Sequence, residues 1–214
     1  MFFLFWYYIC ALLFKILNMN KQIKQIINVL LPYWGVIYFM ALMLFTHFLW
    51  KIVVDGDLHS QYIAIFGQNM TPQFHVLSAH TAKIVHWLVC LFPNTDDFFN
   101  RDTSLYFQGG KMYIDIIWGC TSVKQLYMFI IIIAFYRGPW IKKLWYIPLG
   151  CLILWIYNII RIAMICYLTY YQPEKFDFYH EGLFRYIFYG LMFLLWVIWE
   201  EGFVKNKKTR NVIT

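Results

Sequence analysis

The sequence predicts an all-α fold, a polytopic transmembrane helical bundle of about six spans. Three observations predict it. The 214 residues are 62% hydrophobic and only 14% charged, against about 25% charged in a soluble domain. Apolar runs of spanning length recur along the chain, and its length accommodates five to seven such helices at about 20 residues each. Basic residues gather at the ends of particular runs, as the positive-inside rule requires.

Taken in order, the spans fall at 2–18, 30–50, 74–92, 122–137, 143–169 and 183–200. The first lacks both a basic leader and a small-residue cleavage site, so it reads as a retained helix rather than a removed signal peptide. Lys15 marks its end. The stretch NMNKQIKQIINV after it has apolar residues at helical intervals and suits the membrane interface. The third span carries His75, His80, His86 and Lys83 and needs a protein-lined or watery setting. The chain reads as one integral-membrane domain over 1–214, ending in a basic tail over 201–214. Lys205, Lys207, Lys208 and Arg210 of that tail contribute to a net charge of +7. Beside a span, such a cluster indicates a cytoplasmic end and contact with lipid rather than nucleic-acid binding.

Charge bias orients the second half. Arg137, Lys142 and Lys143 bracket the turn at Gly138-Pro139 and belong in the cytoplasm with the tail. The loops 93–119 and 172–182 then lie outside. Lys21 and Lys24 also fall outside, mildly against the rule.

Within the apolar run Leu144 to Tyr171, Arg161 is the single charge. An arginine at a helix centre costs roughly 2.5–3.5 kcal/mol on insertion scales, or more. It therefore snorkels or faces something polar. The topology puts Arg161 in the outer half of span five, Cys120 at the outer start of span four and His180 in the outer loop before span six. Those groups can share one membrane face. A cysteine attacks as thiolate, and a helix start capped by Thr121 or Ser122 would favour that form. His180 can carry the thiol proton to a leaving amine. Arg161 can hold a thiolate, an oxyanion or a substrate carboxylate. Plainer readings stay open: an ordinary buried cysteine, a surface-loop histidine, and a structural arginine paired with Glu174, Asp177 or Glu181.

Asn158 lies three residues before Arg161 on the same helical face and can hydrogen-bond across the pocket or hold the guanidinium. Cys10, Cys90, Cys151 and Cys166 sit in apolar runs as small hydrophobes. The spacing of His75, His80 and His86 does not form one helical stripe, so no metal is expected. Trp118, Trp140, Trp145, Tyr170 and Tyr171 read as interface anchors. Spans four to six hold no acid before Glu200 and Glu201, which is poor material for a proton-coupled transporter.

GCTS around Cys120, NIIR at 158–161 and HEG at 180–182 before the last apolar helix resemble the exosortase/archaeosortase family of membrane cysteine transpeptidases. The resemblance covers about residues 113–200, the catalytic-motif region, in a compact Bacteroidetes-like form. It departs where CTS stands for the family's CSG or CTG. It implies a catalytic set of Cys120, Arg161 and His180, with no cofactor. It also implies exported protein substrates carrying a C-terminal motif, a transmembrane helix and a basic tail. These would be cut at the outer face of the cytoplasmic membrane through a thioacyl-enzyme, then passed to a surface glycan or lipid acceptor. The competing reading is a non-catalytic assembly or export subunit that uses Arg161 as a helix contact.

Overall fold

The computed structural model describes residues 33–57, 62–93, 95 and 97–205. The expected first span, the interfacial stretch after it and the tail from residue 206 lie outside the described residues. The chain divides into two compact units, Met1–Ala41 and Leu42–Thr214. The described part of the first is the opening of one helix. The second holds the rest of that helix and every later element.

Five α-helices occur among the described residues: α1 Trp34–Val53, α2 Thr71–Val89, α3 Val123–Phe135, α4 Trp140–Tyr171 and α5 Phe184–Trp199. The expected six spans do not appear among the described residues. Only three of the described helical segments are long and apolar enough to cross a membrane: α1, α4, and the continuous segment Phe178–Val204 that contains α5. The span expected at 74–92 is helix α2, but its histidines, Lys83 and Gln73 make it too polar. The span expected at 122–137 is cut to 13 residues, about 20 Å long against roughly 30 Å of hydrocarbon. Its helix stops where Tyr136 becomes extended, just ahead of Gly138-Pro139. The neighbouring α4 runs 32 residues, about 48 Å, and carries Pro148 inside it.

Two small antiparallel sheets replace predicted loops. β1 Val54–Asp57, β2 Tyr62–Ile65 and β3 Gln68–Asn69 form one. Phe66 and Gly67 both take positive φ, 52° and 77°, the two-residue geometry that matches strand twist in a hairpin. β4 Phe99–Arg101, β5 Ser104–Phe107 and β6 Met112–Asp115 form the other, within the expected outer loop.

Packing centres on α4. Helix α2 turns one stripe inward (Phe74, Ser78, Thr81, Ala82, Val85, Val89), and Ala82, Val85 and Val89 share a core with Leu105 and Phe107 of β5 and with Ile159, Ile162, Ala163 and Cys166 of α4. Helix α3 meets α4 closely at Gly150, where an added Cβ would run into the Phe129 ring. A second knot joins the start of α4 to the end of α5. There Lys143 donates from Nζ to the carbonyls of Ala134 at 2.8 Å and Tyr136 at 2.5 Å. Tyr146 donates to Leu195 O at 2.6 Å, and Trp199 Nε1 to Arg137 O at 2.8 Å.

Candidate active site

One face of α4 builds the floor of the site. Asn158, Arg161, Ile162, Ile165 and Thr169 recur at three- and four-residue intervals, so they stack along a single stripe. Asn158, at 1% exposure, is fully inside.

The 3₁₀ turn Trp118–Thr121 lies across this stripe. Its backbone is fixed at both ends: Cys120 N–H donates to Ile117 O at 2.9 Å, and the Thr121 hydroxyl donates to Trp118 O at 2.6 Å. The Asn158 amide donates to Cys120 O at 2.8 Å, tying the turn to α4. The expected caps are therefore corrected. Thr121 bonds within its own turn, and Ser122 starts α3 through its backbone, its carbonyl accepting from Leu126 N–H at 2.9 Å. The Ser122 side chain makes no cap bond and its φ is +59°. Cys120 thus stands three residues before the helix, with its own N–H already used. Of the two roles expected of Asn158, it takes the hydrogen bond across to the cysteine turn rather than the one to the guanidinium.

The third wall comes from the loop after α4. A π-helical turn, Phe178–Leu183, carries His180, whose backbone carbonyl accepts from Arg161 Nη2 at 3.1 Å. The His180 ring stacks on Phe176, with centroids 5.2 Å apart and planes 9° from parallel. Arg161 makes no ion pair with Glu174 or Asp177, and the Glu181 side chain lies outside the described residues.

Cys120, Arg161 and His180 line one small cavity of about 40 Å³. Ile162, Ile165 and Phe176 give it apolar walls, and Ile114 to Ile116 at the end of β6 close one side. Burial pushes the Cys120 thiol up, while the Arg161 guanidinium and a backbone contact from Ile117 oppose that shift. Arg161 Nε, on a residue that lines the cavity, is buried without a partner among the described residues, as are Asn158 Oδ1, Ser122 Oγ and Trp118 Nε1 on the elements that carry the site. Groups so placed cost about 1–3 kcal/mol each and call for an explanation. The cavity thus brings a thiol, a guanidinium and a histidine to one place, with an unsatisfied donor on Arg161.

The strand wall and Phe176 escape a reading of the sequence for reactive groups. A signal for the wall exists: SLYFQGGKMYID is two alternating runs around a Gly-Gly turn, a hairpin pattern. The histidines of α2 stay apart from the site. His75 Nε2 pairs with Asp102 Oδ2 at 2.9 Å, and His86 Nε2 lies 3.3 Å from Phe98 O. No group of three or more metal-ligating side chains occurs among the described residues.

The transmembrane exosortase family matches residues 2–199. The chain belongs to that family. The match extends the resemblance of the C-terminal motifs over the first hundred residues and, with the apolar helices, makes this a membrane protein. Comparison with curated proteins and with solved structures returns no match in either case.

Proposed function

We propose that this exosortase-family protein is a membrane-embedded cysteine transpeptidase that cuts the C-terminal sorting signal of exported proteins. One observation carries the reading: Cys120, Arg161 and His180 border a single cavity in a chain of this family. Cys120 Sγ attacks the scissile carbonyl, and His180 takes the thiol proton and returns it to the leaving amine. Arg161 holds the developing oxyanion in a poorly solvated pocket. The thioacyl-enzyme then passes its acyl group to a surface acceptor, and water as acceptor gives hydrolysis instead. A buried thiol with a raised pKa is weakly nucleophilic at rest, so the nearby guanidinium is what favours its ionised form.

The cavity faces the periplasm and the C-terminus the cytoplasm. The support is distance along α4. Lys143 and Arg161 are 18 residues apart, about 27 Å of helix rise, close to the hydrocarbon thickness of about 30 Å. If the basic knot at Arg137, Lys142 and Lys143 lies at the cytoplasmic face, Arg161 and its cavity lie at the opposite one.

The test is coexpression with candidate substrates carrying a C-terminal motif, a transmembrane helix and a basic tail. Processing by the unaltered protein, its loss with Cys120→Ala, and a trapped Cys120–substrate adduct are the expected results. Processing that survives Cys120→Ala removes the mechanism and favours the non-catalytic assembly role.

A further inference from the structure

The β4–β6 sheet has two unlike faces. Its register sets Phe99 opposite Tyr106 and Tyr106 opposite Tyr113, and likewise Arg101 opposite Ser104 and Ser104 opposite Asp115. Opposed residues and those two apart share a face. Leu105, Phe107, Met112 and Ile114 press into the core. The other face therefore gathers three aromatic rings at one end and an Arg–Ser–Asp set at the other. Ring centroids are 5.1 Å apart for Phe99–Tyr106 and 5.6 Å for Tyr106–Tyr113. Phe99 is 45% exposed and Tyr113 60%. Asp115 and Arg101 are exposed, and the Ser104 hydroxyl donates to Asp115 Oδ1.

We propose that this outward face binds a neutral polysaccharide chain and leads it to the cavity. A pyranose ring has an apolar C–H face, which lies on aromatic rings, and hydroxyl edges, which donate to a carboxylate and accept from a guanidinium. This strip supplies both chemistries side by side. At its polar end Arg101 and Asp115 balance, and Asp102 of the adjoining turn is paired with His75 at 2.9 Å, which suits an uncharged polyol. An anionic headgroup or acidic glycan would meet the Asp115 carboxylate, and a flat three-stranded face offers no groove for a partner helix. The strip is also continuous with the site, because Ile114, Asp115 and Ile116 border the cavity holding Cys120. Binding is independent of the thiol chemistry. Only the use of the bound chain as acceptor rests on the transpeptidase reading.

The experiment uses the full chain in neutral-lipid nanodiscs, probed with uncharged glucose and mannose hexasaccharides and with hexagalacturonate as the acidic control. Titration calorimetry and saturation-transfer NMR give the readout. A neutral hexasaccharide should bind, and Phe99→Ala or Tyr113→Ala should each weaken it about five- to tenfold, the scale of one aromatic contact. Tyr113→Trp should retain or tighten binding, which guards against a merely misfolded alanine variant. Cys120→Ala should bind as the unaltered chain does, so a failure of the thiol mechanism leaves this result readable. No neutral binding, tighter binding of hexagalacturonate, or binding untouched in the Phe99→Ala/Tyr113→Ala double variant would each overturn the proposal. So would a nitroxide on Tyr113→Cys immersed in lipid, since the rings would then be an interfacial anchor.

Discussion

The two ends of α4 each carry a basic residue in an apolar helix, and they treat it in opposite ways. At the start, Lys143 is 3% exposed, its ammonium is spent on two carbonyls of the α3 end, and it lies 4.2 Å over the Trp140 ring. Those carbonyls belong to the last turn of α3 and its exit, where the helix supplies no donor of its own. Near the other end, Arg161 gives one hydrogen bond to His180 O, leaves Nε buried without a partner among the described residues, and faces a cavity that also holds Cys120. A charge inside an apolar run is thus no mark of function by itself. Lys143 closes a helix, whereas Arg161 retains donor capacity beside the Cys120 thiol.

The largest effect should come from the cysteine. Cys120→Ala or Cys120→Ser should abolish substrate processing while leaving thermal stability nearly unchanged, measured by gel shift of the substrate and by melting in detergent.

The next pair sets the two ends against each other. Arg161→Lys keeps the charge but loses the planar fork, and processing should fall about 10²- to 10³-fold, as when an oxyanion donor is removed, with little change in Tm. Lys143→Met should behave oppositely, losing stability at about 1–3 kcal/mol per orphaned carbonyl, while activity per folded molecule holds. Loss of activity in a well-folded Lys143→Met protein would break the comparison.

Asn158→Leu removes the bond to Cys120 O together with the unpartnered Oδ1, so stability should stay within about 1 kcal/mol. Processing should still drop, because the cysteine turn is no longer held to α4. Gly150→Ala, far from the cavity, should cost about 1–3 kcal/mol by overpacking against Phe129, with processing by the folded fraction intact.

The smallest effect is a shift in pH dependence. Alkylation of Cys120 by iodoacetamide follows the thiolate. Burial raises its pKa and Arg161 lowers it, so Arg161→Gln should move the alkylation midpoint to higher pH. A midpoint that stays in place would mean that the guanidinium does not act on the sulfur.

Composition and apolar runs made the membrane class legible, because burial in lipid demands them whatever the packing. The residues of the candidate site were legible for another reason: Cys120, Arg161 and His180 stand out chemically, and their motifs resemble a known family. Span length was not legible. The 122–137 run is apolar from Leu126 to Phe135, yet Tyr136 turns extended and the helix ends after 13 residues, and hydropathy cannot register that. The strands were missed because β3–β6 are two to four residues each and draw their stability from cross-strand pairs and the α2–α4 core.

Chain order and hydropathy were enough to place an arginine and a lysine on one apolar helix, with a cysteine and a histidine in flanking segments. Packing settled which cation would be satisfied and which would be left facing a cavity. Hydrogen-bond partners and enclosed space arise from elements brought together out of sequence. For Lys143 these are the carbonyls of α3, and for Arg161 the 118–121 turn, the end of β6 and the loop that carries His180.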